Sequence, residues 1–327
     1  MKRPLLTAAQ AVFLLSTSIL TPVSEAGTLY STQFEEFTVG NNKWGGSNSW
    51  VSTNSVNAVQ GIAQNAVADL PLGKTAWLGY ASPNSATTLV YRPVNFNPVT
   101  TGFPEVQFDS LLGVQDSTNS KRDRFYISFY NIAGTFLAAV VFDNTSGKVM
   151  TDDGVTVRDT GIAFLRGDQL LGIAALQTLS VSINFTKNVW SAELDSIPLF
   201  SQKFTSVSAA MNLGPVAAEW EIAAGSPGQA GDNWLLVADW LVASIPPEPF
   251  ALESVTKPSS GGSLLRWPAH TGFDYQVQCS DDLKSWSNAL TGSRFAANKI
   301  TASLSFTDTT SPAPAHRYYR VQRTPTP

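Results

Sequence analysis

The chain has 327 residues, and only 14% of them are charged, against roughly a quarter in ordinary globular domains. Hydrophobic residues make up 43% and aromatic residues 11%, which is enough for a sizeable packed core. The 21 basic residues are scattered singly and the net charge is −4, so the sequence offers no basic surface for a nucleic acid.

The first 26 residues have the three parts of an export signal. Lys2 and Arg3 supply the positive start, residues 8–20 form a mostly apolar run, and residues 24–26 are the small-x-small pattern of a cleavage site. The apolar run is too short for a bilayer, and no other run approaches the roughly 18 apolar residues of a membrane span. We therefore predict a signal peptide over 1–26 and a mature protein without a transmembrane segment, secreted or held at the cell surface.

Most of the remaining chain has the two-residue periodicity of β-strands. Phe125, Ile127 and Phe129 alternate with other side chains, and the segment 136–142 alternates in the same way. Residues 178–200 predict two consecutive hairpin strands. Gly, Asn and Asp clusters separate these short runs; Asp152-Asp153-Gly154, for instance, is typical of a turn. The pattern indicates an all-β protein built as a sandwich or a barrel.

Three prolines within residues 246–249 mark a boundary, because proline cannot donate to a sheet ladder and favours an extended spacer. We expect one domain over 27–244, a linker over 245–250, a smaller domain over 251–323 and a tail over 324–327. The single cysteine, Cys279, excludes an internal disulfide.

The larger predicted domain contains three short motifs, near its start, late in its length and at its end. They are Phe34-Glu35-Glu36-Phe37-Thr38-Val39-Gly40, the hairpin sequence over 184–195, and the sequence over 231–242 that begins Gly-Asp-Asn-Trp. These motifs resemble the first strand, a late hairpin and the closing strand of concanavalin-A-like jelly rolls of secreted bacterial proteins, a group that includes laminin-G-like and carbohydrate-binding modules. The resemblance covers 27–244 and implies a jelly-roll β-sandwich.

The smaller predicted domain contains four motifs in order. They are Leu264-Leu265-Arg266-Trp267-Pro268, the sequence over 275–286, Phe306-Thr307-Asp308-Thr309, and Tyr318-Tyr319-Arg320-Val321. Together they are similar to an immunoglobulin- or fibronectin-III-like module, which implies a second, smaller β-sandwich. A domain of this size has a small core, to which Trp267 and Trp286 would contribute a large apolar area.

Histidine-dependent catalysis is excluded from the larger domain, since the only histidines are His270 and His316. Glycoside cleavage needs only two carboxylates, and Glu219 and Glu221 lie two residues apart, on one face of a strand. The third acid that jelly-roll glycosidases carry on this strand is missing before Gly225. We therefore expect a solvated edge or a binding groove at this pair, with a catalytic pair as the alternative.

The jelly-roll resemblance also implies one structural calcium ion between the first and last strands, with Glu35 and Asp239 as its ligands. The sequence around Asp239 supports a partner for this carboxylate. Asp239 alternates with Leu235, Val237 and Leu241, and an unpaired charge on such an apolar face would be very costly. Its partner is either calcium, which prefers oxygen ligands, or backbone amides at a strand end.

Glycan recognition combines aromatic platforms with polar side chains, although strand tryptophans usually belong to the core. Trp44 and Trp50 lie in a polar, Gly-rich segment without strand periodicity, and Tyr126 and Tyr130 lie opposite the apolar face of their strand. We therefore hypothesise a non-catalytic protein that binds an extracellular polysaccharide or surface glycan. The alternatives are a structural or adhesive surface protein whose aromatic residues are all core, and a polysaccharide hydrolase or lyase.

Overall fold

A computed structural model describes residues 27–53, 58–65, 73–81, 83–101, 103–245, 252–256, 262–268, 273–296, 303–310 and 317–325. The predicted signal peptide, residues 246–250 of the predicted linker, and both histidines lie outside these ranges. No helix among the described residues has the length and apolar character that a membrane span requires.

The described residues between 27 and 245 form eighteen strands and two short helical segments. The strands are β1 (Thr28–Thr32), β2 (Gly40–Asn41), β3 (Val51–Ser52), β4 (Gln60–Gln64), β5 (Lys74–Gly79), β6 (Thr87–Phe96), β7 (Glu105–Gln115), β8 (Arg124–Tyr130), β9 (Phe136–Asp143), β10 (Lys148–Asp152), β11 (Val157–Ala163), β12 (Arg166–Gly167), β13 (Gln177–Asn184), β14 (Val189–Leu194), β15 (Ile197–Lys203), β16 (Leu213–Glu221), β17 (Trp234–Val237) and β18 (Trp240–Ile245). The helical segments are α1 (Pro98–Thr101) and a 3-10 turn over Pro227–Gln229. The predicted hairpin over 178–200 is formed by β13 and β14, but residues 197–200 already belong to a third strand, β15.

These strands form two sheets. The first has eleven strands. Eight of them follow the path β15-β14-β13-β7-β17-β5-β4-β2, and three lie off this path: β12 pairs with β7, and β18 pairs with both β7 and β1. The second has seven strands in the order β11-β10-β9-β8-β16-β6-β3. Every pairing is antiparallel except β12 with β7. The strands β8 and β16 are therefore direct neighbours, although more than 80 residues separate them along the chain.

The two sheets pack face to face around one hydrophobic core. On β8, the alternating Phe125, Ile127 and Phe129 are fully buried, as the periodicity predicts. Phe129 meets Phe108 of the other sheet edge-on, with 5.8 Å between ring centroids. Each buried aromatic or aliphatic side chain of this kind stabilises the fold by about 1.5–3 kcal/mol. The predicted all-β class and sandwich architecture are confirmed.

The remaining strands form two three-stranded sheets. The strands are β19 (Ser254–Thr256), β20 (Ser263–Pro268), β21 (Phe273–Ser280), β22 (Arg294–Ala296), β23 (Ser303–Asp308) and β24 (Tyr318–Pro325), in the orders β19-β20-β23 and β22-β21-β24. Trp267 of one sheet lies 6.2 Å, centroid to centroid, from Tyr275 of the other. Both belong to a second hydrophobic cluster, separate from the first. Trp286, also predicted as core, is instead half-buried outside this cluster, with the Arg320 guanidinium 4.4 Å from its ring centroid. The immunoglobulin-like identity of this part and the exact domain limits stay predictions.

Candidate ligand-binding site

One face of the seven-stranded sheet points away from the core and carries four residues that the sequence singled out. On β8, Tyr126 and Tyr130 occupy the positions that alternate with the buried core side chains. On β16, Glu219 and Glu221 alternate in the same way with the buried Trp220. Because β8 and β16 are hydrogen-bonded neighbours, with Glu219 opposite Tyr126, the tyrosines and glutamates share one surface.

Each glutamate accepts a hydrogen bond from a different tyrosine. The Tyr126 hydroxyl donates to Oε2 of Glu221, and the Tyr130 hydroxyl donates to Oε2 of Glu219 at 3.4 Å. Ser128 lies between the tyrosines, and its hydroxyl donates a hydrogen bond to the same Glu219 oxygen at 3.3 Å. The Arg124 guanidinium lies 3.9 Å from the other oxygen of Glu221. These bonds orient both phenol rings and leave carboxylate lone pairs available to a ligand.

A row of small side chains crosses the sheet between the two tyrosines. The register aligns Ala217 with Ser128, Ser128 with Ala139, and Ala139 with Asp152 on β10. The first three are fully buried beneath their longer neighbours, and Asp152 is half-buried at the end of the row. We call Tyr126, Ser128, Tyr130, Asp152, Glu219 and Glu221 together the tyrosine–glutamate face.

Glu219 is the most perturbed carboxyl group of this face. Burial raises its pKa to about 7, and the nearby carboxylates Glu221 and Asp152 act in the same direction. The hydrogen bonds from Ser128 and Tyr130 oppose that rise without cancelling it. Burial also raises the pKa of Asp152, with Asp153 and Glu221 adding to the effect. Near neutral pH, Glu219 therefore both binds and releases a proton.

The two phenols remain protonated. Burial raises the pKa of Tyr126 and of Tyr130 above the ordinary tyrosine value, and each carboxylate that accepts a phenol hydrogen bond raises it further. The tyrosines therefore serve as hydrogen-bond donors and as ring surfaces, and neither is suited to act as a base at neutral pH.

Trp44 and Trp50 do not form the exposed platform that the sequence suggested. They are 0% and 1% exposed, with ring centroids 5.2 Å apart, and Trp50 lies 5.2 Å from the ring of Trp240. The polar segment around them is folded against Gln60, whose Oε1 accepts hydrogen bonds from two of its backbone amides at 3.0 Å. This satisfies the loop backbone and directs both indoles into the core, so the platform interpretation is corrected.

The carboxylates of Glu35 and Asp239 bind different main-chain amides. Oε1 of Glu35 accepts from the backbone amide of Lys74 at 2.9 Å, and Oδ1 of Asp239 accepts from that of Leu111. Burial raises the pKa of Asp239, and Asp109 adds to the rise. The described residues contain no group of three or more His, Cys, Asp or Glu side chains placed to hold a metal ion. The backbone amide of Leu111 is thus one partner of Asp239, and the calcium ion, with Glu35 and Asp239 as its ligands, stays a prediction.

Sequence reasoning missed Asp152 and the row of small side chains. Asp152 was assigned to a turn, but it is also the last residue of β10, in phase with Lys148 and Met150. This alternation was the signal from which the sequence could have predicted that Asp152 shares a strand face with Lys148 and Met150. The alignment of Ala217, Ser128 and Ala139 had no signal, because it depends on the order and register of three strands.

No family model matches the chain, and neither does any curated protein. Solved structures with a similar fold include a conserved carbohydrate esterase of the Shiga toxin-encoding bacteriophage phi24B (14% identity, 67% of this chain and 99% of that chain, TM-score 0.44). Another is the CBM2 module of an evolved Dit protein of Lactobacillus casei BL23 phage J-1 (11%, 69% and 98%, TM-score 0.42). A third, a sialidase, matches over 64% of this chain at 10% identity with a TM-score of 0.44, and this chain spans only 18% of its length.

Proposed function

We propose that the tyrosine–glutamate face binds a glycan and that the protein is a non-catalytic, secreted or cell-surface carbohydrate-binding protein. One observation carries the proposal: two half-buried tyrosine rings and two carboxylates converge on a single outward-facing surface. Aromatic rings bind the apolar face of a sugar, and carboxylates accept hydrogen bonds from its hydroxyl groups.

The side chains of this face are held in place before a ligand arrives. Tyr126 and Tyr130 are each hydrogen-bonded to a glutamate, and Tyr130 also packs edge-on against Phe136 at 5.5 Å. Fixed side chains lose little conformational entropy on binding, which favours affinity for a weakly apolar ligand such as a sugar. Because Trp44 and Trp50 lie in the core, the glycan proposal rests on the tyrosine–glutamate face and not on these tryptophans.

The first test is the binding of the purified protein to a panel of oligosaccharides, compared with three tyrosine variants. Tyr126→Ala and Tyr130→Ala each remove a ring from the face, and we expect each to weaken binding about tenfold. The matched control is Tyr80→Ala, since Tyr80 is an exposed tyrosine outside the face. Binding to no oligosaccharide, or equal binding by all three variants, would refute the proposal and favour the structural or adhesive alternative.

A second candidate function is glycoside hydrolysis, which the environment of Glu219 favours. A carboxyl group with a pKa of about 7 is suited to protonate a leaving group, and Glu221 lies beside it on the same face of the strand. Glu221, which is paired with Tyr126 and Arg124, would serve as the base or nucleophile. Release of reducing ends that is lost in both Glu219→Gln and Glu221→Gln would establish this activity, and release that survives both would exclude these residues.

A further inference from the structure

We infer that the ligand of the tyrosine–glutamate face is a glycan with free amino groups, such as a glucosamine polymer, and that this face discriminates against uronic-acid and sulfated glycans. The inference rests on the proposed function, because it names the class of glycan for the same surface. The charges on this side of the sheet carry the argument.

Carboxylates outnumber cations on the outer face of the seven-stranded sheet. The described strand positions there hold Asp143, Asp152, Asp159, Glu219 and Glu221, against Arg124 and Lys148. An anionic glycan would enter a surface that already has an excess of negative charge, whereas a cationic glycan would reduce it.

Both cations are already engaged by carboxylates. Nζ of Lys148 lies 2.5 Å from Asp159, and Arg124 lies 3.8 Å from Asp143 and 3.9 Å from Glu221. A uronate or sulfate group would have to displace one of these carboxylates to obtain a counter-charge. Recognition of anionic sugars is normally built on an available arginine or lysine.

Glu219 and Asp152 lack an ion-pair partner among the described residues. Glu219 accepts hydrogen bonds from the hydroxyls of Ser128 and Tyr130, and Asp152 accepts one from the amide of Gly154 at 2.8 Å. Each is half-buried and repelled by neighbouring carboxylates, which favours its neutral form. An ammonium group at either position would supply the missing counter-charge and favour the ionised carboxylate.

These two carboxylates lie on strands that are not neighbours in the sheet. Two strands, β8 and β9, lie between the strands of Glu219 and Asp152, which places their backbones about 14 Å apart. The tyrosines and the row of small side chains lie between them. An oligosaccharide lying across this row would place its rings on the tyrosines and its amino groups near the two carboxylates.

The test measures binding of three hexasaccharides to the purified protein by isothermal titration calorimetry, at a pH where glucosamine amino groups are protonated. The probes are hexamers of glucosamine, of N-acetylglucosamine and of galacturonic acid. We expect the glucosamine hexamer to bind about tenfold more tightly than its N-acetylated counterpart, and the galacturonate hexamer to bind most weakly.

Charge-neutralising variants test the two carboxylates. Glu219→Gln and Asp152→Asn should each weaken glucosamine-hexamer binding about tenfold and N-acetylglucosamine-hexamer binding much less, because only the amino sugar forms an ion pair with these carboxylates. Because the net charge of −4 attracts any oligocation, the control is Glu193→Gln, an exposed carboxylate on the other sheet. This control should leave both affinities unchanged.

The outcomes separate the two proposals. Equal affinity for glucosamine and N-acetylglucosamine hexamers, tighter binding of the galacturonate hexamer, or an equal loss in Glu193→Gln overturns the amino-sugar inference and leaves glycan binding standing. If none of the three hexasaccharides binds, the amino-sugar inference is refuted. If the wider oligosaccharide panel also fails to bind, the proposed function is refuted as well.

Discussion

Glu219 shows how position changes the chemistry of a single side chain. An ordinary glutamate has a pKa near 4.5, and burial raises that of Glu219 to about 7. The groups that face it are Tyr126, Ser128 and Tyr130 on β8, Glu221 on its own strand and Asp152 on β10. The cation Arg124 is paired to Glu221 and Asp143, so Glu219 has no counter-ion within the described part of the chain.

The raised pKa of Glu219 predicts a pH-dependent stability. Between about pH 4.5 and 7 the folded protein binds more protons at this site than the unfolded chain does, so the free energy of unfolding falls as pH rises through this window. We expect Glu219→Gln to remove this dependence and to be more stable than the parent by about 3 kcal/mol well above pH 7. Urea unfolding at a series of pH values measures the difference.

Glu193→Gln is the control for that measurement, because it removes an exposed carboxylate from the opposite sheet. Its unfolding free energy should follow the same pH curve as that of the parent protein. A parent and a Glu219→Gln variant whose curves run parallel from pH 4.5 to 7 would contradict the assignment of the raised pKa to Glu219.

At the scale of single elements, β16 depends on a close contact at its start. A Cβ atom at Gly214 would lie 2.1 Å from the carbonyl oxygen of Asn131, just after β8, so no other residue fits without moving one strand. This close approach lies where β16 begins to run beside β8, and β16 carries Glu219 and Glu221. The glycine is therefore needed for strand approach rather than for an unusual backbone angle.

We predict that Gly214→Ala lowers the free energy of unfolding by about 2 kcal/mol, because the added methyl group overpacks a buried strand contact. It should also weaken ligand binding, since it displaces β16 relative to β8. The matched control is Gly228→Ala, whose new methyl group would meet no atom within 4 Å. Equal stability of the two variants in urea unfolding would contradict this account.

At the scale of the whole molecule, the described residues form two separate hydrophobic clusters. The larger contains Trp50 and Trp240 among many other residues, and the smaller is centred on Trp267 and Tyr275. A cluster of few residues supplies little stabilisation and depends strongly on each member. Trp267 is fully buried, so its side chain provides a large share of the smaller core.

We predict that the clusters unfold separately in differential scanning calorimetry. Trp267→Ala should lower the melting temperature of one transition, because loss of this side chain destabilises the smaller core by about 3–5 kcal/mol. It should leave ligand binding at the tyrosine–glutamate face unchanged. Trp50→Ala should shift the other transition instead. A single transition that both variants move equally would show that the two cores fold as one cooperative unit.

Periodicity and composition alone determined a large part of this protein. A period of two assigns side chains to opposite faces of a strand, so the sequence predicted the all-β class and the buried side of β8. It also predicted that Tyr126 and Tyr130 share one face of their strand, and that Glu219 and Glu221 share one face of theirs. These properties depend only on neighbours within one strand.

The remaining features depend on contacts between residues that are distant in the chain. Long-range pairing placed β16 beside β8, which brought the tyrosines and the glutamates onto one surface and aligned Asp152 with them. Contacts with Gln60 and Trp240 turned Trp44 and Trp50 into the core, although their polar, aperiodic segment predicted exposure. A local pattern fixes which side of a strand a residue occupies, whereas strand order and loop direction are set by burial summed over the whole sandwich.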